Sequence, residues 1–223
     1  MGQNDSSQND EAMRHYYKQR APIYDRVYEY PERQSDLRYL ESYIPSQFKG
    51  LKVLEIAAGT GYWSQFIVKQ AATLLATDAT EETLDQITLR EIDIQTKVVD
   101  AYKLTGIDEG FDALFAGHWI SHVPIERRKE FFSGIHKLLN PGARVMLLDN
   151  SKSQLKRLPL SSEDSFGNTY QSRELDDGSS HKVLKNFPTE DELLKDIGSD
   201  IGNAHFRGLS HFWFFEYIYQ LSA

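Results

Sequence analysis

A glycine-containing turn is the first feature of this sequence that could support chemistry. Residues 54–61 read Leu-Glu-Ile-Ala-Ala-Gly-Thr-Gly, and they join an apolar run typical of a buried strand to a predicted helix. Glycine at such a turn allows a ligand to approach the backbone closely. Asp78 ends the next predicted strand, where a carboxylate can accept hydrogen bonds from both hydroxyls of a ribose. The spacing predicts a nucleotide-like ligand.

The residues around this turn separate two classes of nucleotide-binding protein. A dinucleotide fingerprint has a third glycine three positions after the second, but Ser64 stands there. An acidic residue, Glu55, also precedes Gly59 by four positions. Asp78 alone is shared with NAD enzymes, whereas its combination with Glu55 and Ser64 is not. An NAD(P)-dependent oxidoreductase is therefore the alternative rather than the preferred interpretation.

The ordered set of motifs resembles the class I S-adenosylmethionine-dependent methyltransferases. The set comprises Glu55, Gly59-Thr60-Gly61, Asp78, Asp100 after the third predicted strand, Leu138-Leu139-Asn140-Pro141-Gly142, and an aromatic-rich final strand. It covers about residues 11–149 and the C-terminal hairpin. The resemblance implies S-adenosylmethionine (SAM) as cofactor and transfer of its methyl group to oxygen or nitrogen of a small molecule. A noncatalytic ligand-binding relative is a further alternative, disfavoured by the intact turn and carboxylates.

The resemblance also assigns contacts to the cofactor. Gly59 and Gly61 would pass against its methionyl part, and Asp78 would hold the ribose diol. Asp100 would bind the adenine amino group. Glu55 would either order the glycine turn or reach the cofactor ammonium through water. The other implied neighbours are Ala57, Thr60, Ala79, Ala101, Tyr102 and Gly117.

The N-terminal segment resembles a lid found in small-molecule members of this superfamily. Its pattern is Tyr17-x-x-Arg20-Ala21-x-x-Tyr24-Asp25. In that interpretation Tyr17 and Tyr24 lie over the cofactor, and Arg20 approaches the cofactor carboxylate or an acidic partner. The competing interpretation is an amphipathic helix on the sheet with Arg20 in solvent. We predict a helical lid at residues 11–45.

Two histidines, His118 and His122, follow the fourth predicted strand. Ligands of open α/β sheets bind at the carboxyl ends of the strands, so this loop should face the methyl group to be transferred. Imidazole titrates near neutral pH, which makes both residues candidate general bases. A histidine pair could also bind a metal, but the loop has no cysteine or carboxylate, so we expect no metal site.

Alternating elements must position these residues. Apolar runs at 51–56, 73–77, 96–99, 111–116 and 144–149 are separated by helical patterns, two of which span residues 60–70 and 125–139, and two more strands end the chain. This predicts an α/β, doubly wound, Rossmann-like sheet of seven strands, mostly parallel with an antiparallel C-terminal hairpin strand.

The domain organisation predicted from the chain is simple. Residues 1–10 are polar and are predicted to be a disordered tail, and residues 11–223 a single domain. A polar insertion at residues 150–187 is predicted to cover the substrate. It offers five polar contacts, none of which the sequence singles out: Asn168, Tyr170, Arg173, His181 and Lys185.

Composition limits the partners. The formal net charge of -8 disfavours nucleic acid and mildly favours a cationic or neutral small molecule. The chain lacks cysteine, an apolar run long enough to span a membrane, and the pattern of a signal peptide. We therefore expect a cytoplasmic monomer or homodimer that binds neither nucleic acid nor membrane.

Overall fold

A seven-stranded sheet forms the centre of the computed structural model, which describes residues 13–220. The strand order is β3-β2-β1-β4-β5-β10-β9. The strands are β1 (Lys52–Ile56), β2 (Thr73–Asp78), β3 (Gln95–Val98), β4 (Phe111–Gly117), β5 (Leu139–Asn150), β9 (Ile201–Gly208) and β10 (Phe212–Tyr219). The predicted tail at residues 1–10 lies outside the described residues.

Strand pairing confirms the predicted fold class. Neighbouring strands from β3 to β5 are all parallel. Strand β10 runs antiparallel to both β5 and β9. The first half of the chain therefore places the ends of β1, β2, β3 and β4 at one edge of the sheet, where the predicted site residues lie.

Helices cover both faces of this sheet. They are α1 (residues 13–20), α2 (Gln34–Ser46), α3 (Ser64–Ile67), α4 (Glu81–Thr88), α5 (Arg128–His136) and α6 (Glu190–Ile197). On one face Leu37 and Leu40 of α2 pack against Phe115. On the other, Phe132 and Ile135 of α5 belong to a second apolar cluster. No helix within residues 13–220 is long and apolar enough to cross a membrane.

Two element boundaries differ from the sequence prediction. The α-helix expected from Thr60 is only Ser64–Ile67, with turns on either side. The helix expected over residues 125–139 begins as a 3-10 turn and ends at His136, because β5 already starts at Leu139. Phe111 pairs with Leu139 and Ala113 with Arg144, so residues 140–143 bulge out of β5.

The insertion at residues 150–187 folds onto the N-terminal helix. It contains a small antiparallel sheet of β6 (Ser162–Glu163), β7 (Thr169–Glu174) and β8 (Ser180–Leu184). Met13 and Tyr16 of α1 share an apolar cluster with Tyr170, Val183 and Leu184 of this sheet. Two segments far apart in sequence therefore form one wall above the main sheet.

Candidate active site

A cavity opens at the carboxyl ends of β1, β2 and β4, and it spans about 910 Å³ when the space open to solvent at its mouth is included. Its lining combines these strand ends with the inner face of α1. The predicted contacts that line it are Tyr17, Tyr24, Ala57, Gly59, Thr60, Asp78, Ala79, Asp100, Ala101, Tyr102 and Gly117. His118 and His122 also reach it. We call this space the large cavity.

Gly59 provides room at the floor of the large cavity. Its φ is +59°, which L side chains rarely adopt, and a Cβ at this position would meet nothing within 4 Å. Its N–H instead donates a hydrogen bond of 2.9 Å to Asp78 Oδ2. A side chain at Gly59 would therefore project into space that the cavity leaves for a ligand.

Backbone hydrogen bonds fix the orientation of the Asp78 carboxylate but leave it able to accept further hydrogen bonds. Its Oδ2 accepts from Gly59 and its Oδ1 from the N–H of Ala79 at 2.8 Å. Burial raises the pKa of Asp78, and these backbone hydrogen bonds lower it. Each carboxylate oxygen has further lone pairs, so Asp78 fits the ribose diol that the sequence assigned to it.

Asp100 is held by a residue that sequence reasoning missed. Its Oδ1 accepts from the N–H of Tyr102 at 2.9 Å, and Arg14 donates to its Oδ2 at 2.6 Å. Burial raises the pKa of Asp100, but these two contacts outweigh it and the pKa lies below its usual value. Arg14 precedes Tyr17 by three residues on α1. The helical period could therefore have placed it on the same face.

Three predicted cofactor contacts lie outside the lining of the large cavity: Gly61, Glu55 and Arg20. Gly61 has a φ of +76°, and a Cβ there would lie 2.8 Å from Cγ1 of Ile87. Gly61 therefore lets Ile87 of α4 approach the turn closely.

Glu55 stabilises the glycine turn between β1 and α3. It is buried, and the hydroxyl of Ser64 donates to its Oε2 at 2.6 Å. Burial raises the pKa of Glu55 to about 8. Ser64, the residue that replaces the third glycine of a dinucleotide fingerprint, thus ties α3 to β1.

Arg20 lines a second cavity, which spans about 540 Å³ with the space open to solvent included and which we call the small cavity. The Arg20 guanidinium donates to the hydroxyl of Tyr16 at 2.9 Å and makes no ion pair among residues 13–220. The expected approach of Arg20 to an acidic partner is therefore not seen. Of the five polar residues noted in the insertion, Arg173 and Lys185 line the small cavity and the other three do not.

The two cavities share a wall. Tyr17, Tyr24, His118 and His122 line both. The tyrosines come from the N-terminal segment and the histidines from the loop after β4. The wall therefore exists only because the N-terminal segment packs over the carboxyl edge of the sheet.

His122 is buried and hydrogen-bonded at both ring nitrogens. Its Nδ1 lies 2.6 Å from the carbonyl oxygen of Leu184, and its Nε2 lies 2.8 Å from the hydroxyl of Tyr17. Burial, together with Lys185 and Arg173, holds the pKa of His122 well below its usual value. A neutral ring with a carbonyl beside Nδ1 carries its proton there, so Nε2 accepts from Tyr17.

His118 presents a free ring nitrogen in the shared wall. Its backbone adopts a φ of +58°, uncommon for a residue with a side chain. Its Nδ1 lies 3.3 Å from the Asn150 amide, whereas its Nε2 is buried and has no hydrogen-bond partner within residues 13–220. Burial lowers the pKa of His118, so the ring is neutral near pH 7.

A buried ion pair supports these histidines from behind. Lys185 Nζ lies 2.7 Å from Asp149 Oδ1, and each side chain is only 1% exposed. Ser121 donates its N–H to the other Asp149 oxygen at 3.1 Å. Burial raises the pKa of Asp149, but Lys185 outweighs it and the pKa lies well below its usual value. The sequence signal for Asp149 was its place at the end of the fifth strand.

Comparisons with known proteins agree with this geometry. Residues 53–142 match the family model described as a methyltransferase domain. A structure of the DhpI–SAM–HEP complex is 26% identical, with a TM-score of 0.79 over 94% of this chain and 97% of that one. The DhpI–SAH complex is 24% identical, with a TM-score of 0.79 over 96% and 98%.

A more distant structure shares the fold. The PH0226 protein from Pyrococcus horikoshii OT3 is 17% identical, with a TM-score of 0.70 over 86% of this chain and 93% of that one. No curated protein matches the chain. The domain match, the strand order and the lining of the large cavity agree. Residues 53–142 are a methyltransferase domain, the fold is that of the class I S-adenosylmethionine-dependent methyltransferases, and the cofactor is SAM.

Proposed function

We propose that the protein transfers a methyl group from SAM to an oxygen or nitrogen of a small molecule bound in the small cavity. One observation carries this proposal: the large and small cavities share Tyr17, Tyr24, His118 and His122 as a common wall. A cofactor on one side and an acceptor on the other would meet there. The sulfonium of bound SAM supplies an activated methyl group.

The residues of the large cavity suit the parts of SAM in order. Asp78 would accept from the ribose hydroxyls, and Asp100 with Tyr102 would lie at the adenine. The open space above Gly59 would admit the methionyl part. In this assignment Gly61, Glu55 and Arg20 support the site without touching the cofactor.

The N-terminal segment and the insertion would close the site. We propose that residues 11–45 act as a lid and residues 150–187 as a cover over the acceptor, within a single domain spanning 11–223. The shared apolar cluster of Met13, Tyr16 and Val183 supports a joint role. A closed site would hold the acceptor in line with the methyl group of SAM and would keep water from competing with the acceptor for that group.

The histidines would orient the acceptor rather than remove its proton. His122 is neutral with its Nε2 lone pair already accepting from Tyr17, so taking up a proton would create a buried cation beside Lys185 and Arg173. We therefore propose His122 as a positioning residue that acts through Tyr17. His118 Nε2, which is unpartnered within residues 13–220, would contact the acceptor directly.

Cofactor titration and methyl transfer together test this function. We expect the protein to bind S-adenosylhomocysteine (SAH) in calorimetry and not NAD⁺. With SAM carrying a tritiated methyl group, label should move into a small-molecule fraction of a metabolite extract. Binding of NAD⁺ instead of SAH would support the oxidoreductase alternative. SAH binding without labelling of any fraction would support the noncatalytic alternative.

A further inference from the structure

We propose that the acceptor carries an oxyanion group, such as a phosphate, phosphonate or carboxylate, and that this group binds in the small cavity. The inference rests on the proposed function, because it names the class of molecule that the small cavity takes. Four arginines line this cavity: Arg20, Arg33, Arg157 and Arg173. No aspartate or glutamate of the described residues lines it.

None of these arginines is neutralised by a neighbour within residues 13–220. Among residues 13–220 the four guanidinium groups make no ion pair within 4.0 Å, although Arg14, Arg26, Arg38 and Arg90 elsewhere each do. Lys185 also lines the cavity, but Asp149 balances its charge. His118 and His122 are neutral because burial lowers the pKa of each. The cavity therefore carries a net positive charge that comes from arginine.

Two of the arginines are held in place on one side of the cavity. Arg173 is 7% exposed, and it donates to Gln171 Oε1 at 2.9 Å and to the hydroxyl of Tyr17 at 3.2 Å. Arg20 donates to the hydroxyl of Tyr16 and lies 5.3 Å from the ring of Tyr24. Their partners are neutral, so the positive charge of both groups is available to a ligand.

The other two arginines stack on one aromatic ring. Arg157 lies 3.6 Å and Arg33 5.0 Å from the ring centre of Tyr30. Arg33 is 8% exposed, and its Nε is buried with no hydrogen-bond partner in the described part of the chain. A buried, unpartnered guanidinium nitrogen is unfavourable unless a ligand satisfies it. The geometry suits an acceptor with several oxygens.

A bound oxyanion would both compensate the positive charge of the cavity and give the buried guanidinium nitrogen a hydrogen-bond acceptor. It would relieve the repulsion among the four positive charges that line the small cavity, and it would accept hydrogen bonds from their N–H groups. A guanidinium group can donate two parallel hydrogen bonds to two oxygens of one phosphate or carboxylate. Neither a neutral nor a cationic acceptor offers such a pair of charged oxygens. The local charge is thus opposite to the net charge of -8, from which the sequence favoured a cationic or neutral acceptor.

Calorimetry on the SAH-loaded protein tests this inference at constant ionic strength. The probes are inorganic phosphate, acetate and tetramethylammonium. We expect phosphate or acetate to bind with 1:1 stoichiometry and tetramethylammonium not to bind. Arg157→Gln, at an exposed position, should weaken anion binding by about 10-fold while leaving SAH affinity unchanged. Arg33→Gln should weaken it at least as much.

Arg26→Gln is the matched control, because Arg26 is an exposed arginine paired with Asp176 outside the small cavity. Its anion affinity should equal that of the wild type. Three results would overturn the inference: no anion binding, equal anion affinity in wild type, Arg157→Gln and Arg33→Gln, or binding of tetramethylammonium. SAH binding is measured first and separately. Loss of SAH binding in the wild type would refute the proposed function, whereas failure with anions alone would refute only the acceptor class.

Discussion

The hydroxyl of Tyr17 donates to Nε2 of His122 across 2.8 Å, and Arg173 donates to the same hydroxyl at 3.2 Å. These three residues come from the N-terminal helix, the loop after β4 and the insertion. Their contact joins three segments at the wall between the two cavities. The position of Tyr17 therefore depends on His122 and Arg173 together.

The Tyr17–His122 contact can be tested by comparing Tyr17→Phe with His122→Ala. Because we propose that His122 acts through Tyr17, each variant should lower kcat by about 10-fold, and the double variant should lose little more than the worse single variant. The losses should be equal from pH 6 to pH 9. SAM affinity should stay within about 3-fold of the wild type.

A pH–rate profile with an identified acceptor distinguishes a positioning role of His122 from general-base catalysis by His122. If His122 were the general base, His122→Ala would lower turnover by ~10²-fold or more, and the loss would shrink as pH rises. That result would contradict our assignment. A lowered Tm with unchanged kcat in both variants would instead assign the pair to packing alone.

Asp78→Ala should weaken SAH binding by about 2 kcal/mol, because a charged acceptor of two ribose hydroxyls is lost. The measurement is calorimetry with SAH on a variant shown to be folded by circular dichroism. Asp85→Ala, at an exposed position on α4, is the control and should bind SAH as the wild type does. Unchanged affinity in folded Asp78→Ala would refute the ribose assignment.

The two glycines of the turn should fail in different ways when replaced. Gly59→Val should abolish most SAH binding, since its side chain would enter open space in the large cavity. Gly61→Ala should chiefly lower Tm, because its Cβ would lie 2.8 Å from Ile87 Cγ1. Both positions have positive φ, so the Tm of each variant is measured to separate backbone strain from loss of SAH binding. A Gly61→Ala protein of normal Tm that no longer binds SAH would reverse this assignment.

Glu55→Gln should change how stability depends on pH. Burial raises the pKa of Glu55 from 4.5 to about 8, so between these values the folded state holds a proton that the unfolded state has lost. The wild type therefore loses stability as pH rises through this window. Glu55→Gln, which stays neutral and can still accept from Ser64, should be more stable at pH 8 by about 4 kcal/mol.

Urea unfolding at pH 4.5 and pH 8 measures this effect. The difference between Glu55→Gln and the wild type should be small at the lower pH and large at the higher one. Glu109→Gln, an exposed replacement of the same kind, should show no such difference. An equal stability of Glu55→Gln and wild type at both pH values would show that burial does not hold the Glu55 proton.

The sequence alone determined the sheet and the cofactor side of the candidate site. Apolar runs that alternate with helical patterns predicted the strands, because a strand covered by helices on both faces of a sheet must be apolar throughout. Gly59, Asp78 and Asp100 each stand at or just after the end of a predicted parallel strand. Since such ends meet at one edge of a sheet, local patterns were enough to bring these residues together.

Tertiary structure decided the part of the site where we propose that the acceptor binds. Arg20, Arg33, Arg157 and Arg173 lie in segments with no common motif, and only the folding of the insertion over the N-terminal helix brings them to one cavity. A net charge sums over the whole surface, whereas a ligand responds to charges within a few ångströms. For that reason composition indicated an acceptor of opposite charge to the one that we propose. The closeness of the two histidines in sequence likewise could not show which of them is hydrogen-bonded. In the structure Nε2 of His122 accepts from Tyr17, whereas Nε2 of His118 has no partner within residues 13–220.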